Sequence, residues 1–115
     1  MANTFKLVTK ANVTSSDVIY TVAGSTTTVV LGLMLGNTTS GATTVTVSLG
    51  SDTSGRAGNN DEANQTVELV TSVSIPGNSS LELMSGNKIV METTDTLSVT
   101  AGASTDVVLS IMEIT

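Results

Sequence analysis

Cysteine and histidine are absent from this chain of 115 residues, proline occurs once (Pro76), and Phe5 and Tyr20 are its only aromatics. Without cysteine there is no disulfide framework, thiolate zinc site, iron–sulfur cluster or thiol nucleophile. Without histidine the usual general base of serine and cysteine hydrolases is missing, and so is the commonest metal ligand. Basic residues are almost as scarce. Lys6, Lys10, Arg56 and Lys88 stand against ten acidic residues, for a net charge of −6. Phosphate backbones are gripped by clustered Lys and Arg, and single strands by rows of aromatic platforms. Neither is present, so no nucleic-acid partner is expected.

Long hydrophobic runs are lacking too. The longest, Val29 to Leu35, is about a third of a membrane-spanning helix, and no membrane partner is expected. Met1-Ala-Asn-Thr-Phe-Lys lacks the basic-then-apolar layout of a secretory signal, so the chain is expected to be cytosolic when made. N-x-[ST] matches at Asn12, Asn37, Asn64 and Asn78 follow from a Thr/Ser/Asn-rich composition and carry no weight without secretion.

What is there is β-forming. Thr and Val are heavily used, and apolar residues alternate with hydroxyl-bearing ones. Val45, Val47 and Leu49 alternate with Thr44, Thr46 and Ser48, and Leu97 and Val99 with Thr96, Ser98 and Thr100. Each pattern describes a strand with one dry face. Ala23-Gly24-Ser25, Gly36-Asn37, Pro76-Gly77-Asn78, Ser85-Gly86-Asn87 and Ala101-Gly102 punctuate the runs. Gly and Asn there accept positive φ, and Pro76 pre-sets a first turn position. Strands are predicted near 4–10, 17–22, 26–35, 42–50, 65–75, 79–84, 87–92, 95–100 and 105–114. No segment has a helical period and no repeat is visible. The fold class is therefore all-β, an antiparallel sandwich or jelly roll in one domain.

Two strands break the one-wet-face rule: Val29-Val30-Leu31-Gly32-Leu33-Met34-Leu35 and Val107-Val108-Leu109-Ser110-Ile111-Met112-Glu113-Ile114 are apolar in both phases. Such strands are either central and covered by loops, or their second face is an oligomer seam. The seam reading names Val30, Gly32, Met34, Val108, Met112 and Ile114 as interface residues, Gly32 allowing close approach of another backbone.

Ser51 to Asn64 has no hydrophobic period and reads as an exposed polar loop. Asp52, Arg56, Asn59, Asn60, Asp61 and Glu62 are its candidate partner contacts. An EF-hand opened by Asp52 would want oxygen ligands at Ser54 and Arg56 and glycine at Ala57, so that motif fails. Glu68, Glu82 and Glu92 fall on separate predicted strands and alternate with apolar neighbours, as a wet face does. Gly24, Gly32 and Gly36 surround a β run with no following helix, which is not a phosphate cradle. No catalytic residue, metal site or cofactor is assigned, and enzymatic activity is not expected.

Several segments resemble a family of small virion proteins of tailed bacteriophages, especially marine phages of cyanobacteria. In the first half these are Met1-Ala-Asn-Thr-Phe-Lys, Val18-Ile-Tyr-Thr-Val22, Ser25-Thr-Thr-Thr-Val-Val-Leu-Gly-Leu33 and Asn37-Thr-Thr39. In the second they are Ile75-Pro-Gly-Asn-Ser-Ser-Leu81, Gly86-Asn-Lys-Ile-Val90, Asp95-Thr-Leu-Ser-Val-Thr100 and Asp106-Val-Val-Leu-Ser-Ile-Met-Glu-Ile-Thr115. Ala23-Gly24 stands where the family often has Pro-Ala, and the 51–64 loop is longer than in shorter relatives. The resemblance implies a virion structural protein. Within that class the expectation is a capsid decoration (cement) protein that binds the major capsid protein and stabilises the shell. It would be assembled in the host cytoplasm and would self-associate, as a homotrimer. The alternatives are a neck or tail adaptor, a fibre-anchoring protein, or a host-surface glycan-binding module.

Overall fold

The computed structural model describes residues 2–52, 64–84 and 86–115, and among them the chain is built of strands. In order these are β1 (Asn3–Val13), β2 (Ser16–Thr21), β3 (Thr27–Asn37), β4 (Thr43–Ser51), β5 (Gln65–Ile75), β6 (Ser80–Leu83), β7 (Ile89–Met91), β8 (Thr96–Ala101) and β9 (Thr105–Ile114). They form two antiparallel sheets. A five-stranded sheet runs β1-β9-β3-β6, with β7 also paired to β3, and a four-stranded sheet runs β2-β8-β4-β5. Taking β6 and β7 as one interrupted edge strand gives the strand order of a jelly roll, so the expected sandwich is observed.

The core forms where the dry faces meet. Val30, Leu33 and Leu35 of β3 and Val107, Leu109 and Ile111 of β9 are buried, as are Val45 and Val47 of β4 and Leu97 and Val99 of β8. Branched aliphatic side chains suit a pleated surface and lock few rotamers there, so a core without aromatics still packs. Each of these side chains contributes about 1.5–3 kcal/mol through burial.

The register of β3 is broken between Val30 and Gly32. That bulge changes which side chains face inward. Before it, Val30 lies opposite Ile111 on the inner side. After it, Gly32 and Met34 lie opposite Ser110 and Val108 on the outer side. Strict alternation groups Val30 with Gly32 and Met34, but Val30 is 0% exposed and belongs to the core. It is not an interface residue, and the extra residue at the bulge is the reason.

Asn37 secures the crossing from β3 to β4. Its Nδ2 donates to the carbonyls of Gly41 (2.8 Å), Ile75 (3.0 Å) and Pro76 (3.2 Å), and its Oδ1 accepts from the Thr39 amide and hydroxyl. The residue is 3% exposed, so one side chain ties the 38–42 connection to the end of β5. Gly77 lies against the same connection. A Cβ there would collide with the Ser40 carbonyl oxygen, which explains a glycine in that turn.

Candidate assembly face

The outer side of the five-stranded sheet follows from the register. On β9 it carries Val108, Ser110, Met112 and Ile114. Opposite them on β3 stand Met34, Gly32, Val29 and Thr27. On the other flank β1 places Thr9, Leu7, Phe5 and Asn3 opposite the same four β9 residues. Val90 of β7 continues the row through Val29. Phe5 is 73% exposed, Leu7 66%, Val90 61%, Met34 42% and Val108 40%. The central strands β3 and β9 are thus apolar on both sides because one side builds the core and the other is left open. Scattered surface apolar residues are ordinary, but several in adjacent rows of one sheet make a patch of the kind that mediates association.

Within the paired strands of this face, charge stands at one end, while Lys88 and Glu92 flank β7 just outside the pairing. By register its outward ionisable positions are Glu82, opposite Met34, and Asp106, opposite Gly36, and the Asp106 carboxylate accepts the Asn12 amide at 3.0 Å. Lys6 turns the other way, opposite inward-facing Ile111, and its Nζ lies 2.8 Å from Glu113 Oε1. Between Glu82 and the far end of the sheet lies a shallow depression of about 190 Å³, lined by Gly32, Leu33, Met34, Glu82, Val108 and Ser110. Its floor is low because Gly32 has no side chain, and a Cβ there would meet nothing within 4 Å.

A polar link between the sheets lies on the inner side of the same strands. Tyr20 of β2 donates its hydroxyl proton to Glu113 Oε2 at 2.6 Å and lies 2.7 Å from the hydroxyl of Thr28, which is fully buried. A phenol has one proton, so with that proton on the carboxylate it is Thr28 that donates to Tyr20. Desolvation and the neighbouring Glu113 carboxylate push the Tyr20 phenol up to about 12. The Lys6 ammonium, then the Tyr20 hydroxyl, hold the Glu113 carboxyl below its ordinary value.

The predicted interface residues Gly32, Met34, Val108, Met112 and Ile114 share this outer face, and Val30 does not. Of the predicted loop contacts, Asp52 is exposed and its amide donates to Asp95 Oδ1 at 3.1 Å. Arg56, Asn59, Asn60, Asp61 and Glu62 lie outside the described residues. Among the described residues no group of three or more acidic side chains could hold a metal ion. Glu68 and Glu82 sit in different sheets, Glu92 lies just past β7, and Glu68 accepts from the Thr71 hydroxyl at 2.6 Å. Sequence reasoning missed Phe5, Leu7, Val29 and Val90, although Phe5 and Leu7 alternating with Lys6 was a legible signal.

No protein-family model matches the chain, and no curated protein matches it in sequence. Among solved structures it is similar to a chain of the Bacillus endospore appendages, described as a novel family of disulfide-linked pili. The TM-score is 0.51 and the identity 17%, over 99% of this chain and 87% of that one. At that identity the likeness is one of fold.

Proposed function

We propose that this chain is a structural protein of a tailed-bacteriophage particle, a decoration (cement) protein that sits on the outer capsid, holds the major capsid protein and stabilises the shell. The observation that supports it is the open apolar side of the β1-β9-β3 sheet, whose charge is confined to one end. A site for chemistry is a concave cleft in which a few polar groups converge. A face for assembly is flat, apolar and wide, and the exposed residues here form such a face. The virion assignment adds the family resemblance of the segments around Ser25–Leu33 and Asp106–Thr115.

The fold likeness to a chain of an appendage favours one second reading, a neck or tail adaptor or fibre-anchoring protein. Copy number separates the two. Quantitative mass spectrometry of purified virions, scaled to the major capsid protein, is expected to give on the order of hundreds of copies for a decoration protein, whose weak contacts multiply over the shell. About a dozen copies, the number of a small closed ring, would favour the neck or tail. Absence from the particle would overturn both.

A further inference from the structure

The geometry points to a two-fold pairing of this chain with a second copy, in which Phe5 of each copy seats in the Gly32 depression of the other. The inference deepens the assembly-face reading and rests on it for the choice of face, but not on any particle.

The face carries both halves of a lock. Phe5 is its most exposed large side chain and projects from the edge strand β1. The depression over Gly32 lies two strands away, across β9, and holds about 190 Å³. A closed apolar cavity of about 150 Å³ takes a benzene ring, so this open hollow has room for a phenyl side chain over Gly32. By register Phe5 is level with Met112 and Gly32 with Ser110, which puts knob and hollow about 12 Å apart at standard strand and residue spacings.

Any knob and hollow on one face can be exchanged by a two-fold axis lying in the interface plane, perpendicular to the line joining them and passing through its midpoint. Both contacts then form at once, which is the self-complementarity of an isologous dimer. Here the midpoint falls over β9 between Met112 and Ser110. A ring would need the knob and hollow on separated surfaces, and they share one.

Two further observations favour a copy of the same chain over an unrelated partner. A molecule of net charge −6 repels its own kind least where charge is absent; the outer positions of β1, β9 and β3 are uncharged from Val108 to Ile114, and Glu82 stands at the rim of the hollow. Strands about 4.8 Å apart and residues about 3.3 Å apart give the four-strand-wide face roughly 600 Å² in projection. That approaches the roughly 800 Å² per partner of a standard stable interface, before side-chain relief is counted.

The test uses the chain in solution. Light scattering at about 100 µM, well above a micromolar dissociation constant, is expected to give twice the 11.6 kDa monomer mass. Phe5→Ser removes the knob and Gly32→Met fills the hollow. Phe5 is exposed and Gly32 has open space above it, so both variants keep the monomer fold, as circular dichroism checks. Each is expected to weaken dimerisation about a hundredfold or more, because two rings lose their burial. The chain has no cysteine of its own, so Ser110→Cys reports the axis directly. Facing sheets lie about 10 Å apart, beyond disulfide reach, and a bis-maleimide of that length should join two copies. Val18→Cys, exposed on the other sheet, should not be joined.

A monomeric mass, a trimer untouched by Phe5→Ser, or equal crosslinking at Val18→Cys would each overturn the pairing. A monomer still present at hundreds of copies on virions would overturn the pairing and leave the decoration reading standing. A dimer found on no particle would do the reverse.

Discussion

Replacing Tyr20 by Phe deletes one oxygen and tests the link between the sheets. The oxygen joins Glu113 Oε2 at 2.6 Å to the buried hydroxyl of Thr28 at 2.7 Å, so a residue of the four-stranded sheet holds two of the five-stranded one. A hydrogen bond to a charged acceptor contributes about 1.5–3 kcal/mol, and a buried hydroxyl left without its partner costs about 1–3 kcal/mol. Relaxation makes these less than additive, and Tyr20→Phe should destabilise by about 3 kcal/mol. For a domain of this size that lowers Tm by roughly 10 °C or more. The ion pair behind it matters less. Lys6 is 54% exposed, and Lys6→Ala should cost below about 1 kcal/mol. Urea unfolding followed by circular dichroism suits a chain without tryptophan, and a double-mutant cycle with Thr28→Val isolates the pair. Removing both hydroxyls leaves no orphan, so the double variant should recover about 1 kcal/mol relative to the sum of the singles. A Tyr20→Phe cost below about 0.5 kcal/mol, with no coupling to Thr28, would refute the link.

The same cluster sets two limits of pH. The folded Tyr20 phenol is raised from 10.0 to about 12, so its contribution is whole below pH 10 and is lost as pH rises from there toward 12. Tyr20→Phe should flatten that limb of a Tm-against-pH curve. The folded Glu113 carboxyl is lowered from 4.5, so its contribution is present above that value and fades as pH falls below it; Glu113→Gln should weaken this acid loss. Asn37→Asp puts an acceptor against three carbonyls and should cost more than about 3 kcal/mol at neutral pH, with partial recovery in acid urea titrations as the carboxyl protonates. Gly77→Ala drives a Cβ into the Ser40 carbonyl and should cost about 1–3 kcal/mol, whereas Gly32→Ala should fall within about 0.5 kcal/mol of the parent in the same assay.

Strand positions were legible because the hydroxyl-apolar alternation has the period of a strand and the turns carry Gly, Asn and Pro. The phase within a strand was legible only where no residue is inserted. In Val29 to Leu35 both phases are apolar, so nothing in the letters marks where a bulge changes the count, and Val30 was assigned to the wrong side. β1 shows the converse. Its alternation of Phe5 and Leu7 with Lys6 would normally turn the apolar pair inward, yet Lys6 takes the inner side. There it pairs with Glu113 across the strand pair, a contact too weak by itself to set the phase of the strand. Tyr20 and Glu113 are separated by 93 residues, and no local pattern announces a contact of that range.

The absence of cysteine bears on how such a chain could assemble. The pili of the chain with a similar fold are described as disulfide-linked, and here no residue can make that link. In the proposed assembly, cohesion would come from burial. In the proposed pairing each copy would contribute a footprint of roughly 600 Å², and such an area does not convert directly into affinity. Association itself costs about 4–15 kcal/mol, and ordering exposed side chains such as Phe5, Leu7 and Met34 adds to that. With a footprint below that of a standard stable interface, the proposed contact would form and break in solution. On the decoration reading, repetition over a lattice of identical sites would make it lasting, because each bound copy would hold its neighbours at high effective concentration. On that reading the two sides of β3 and β9 divide the labour: the inner one must hold alone, and the outer one would need to hold only in numbers.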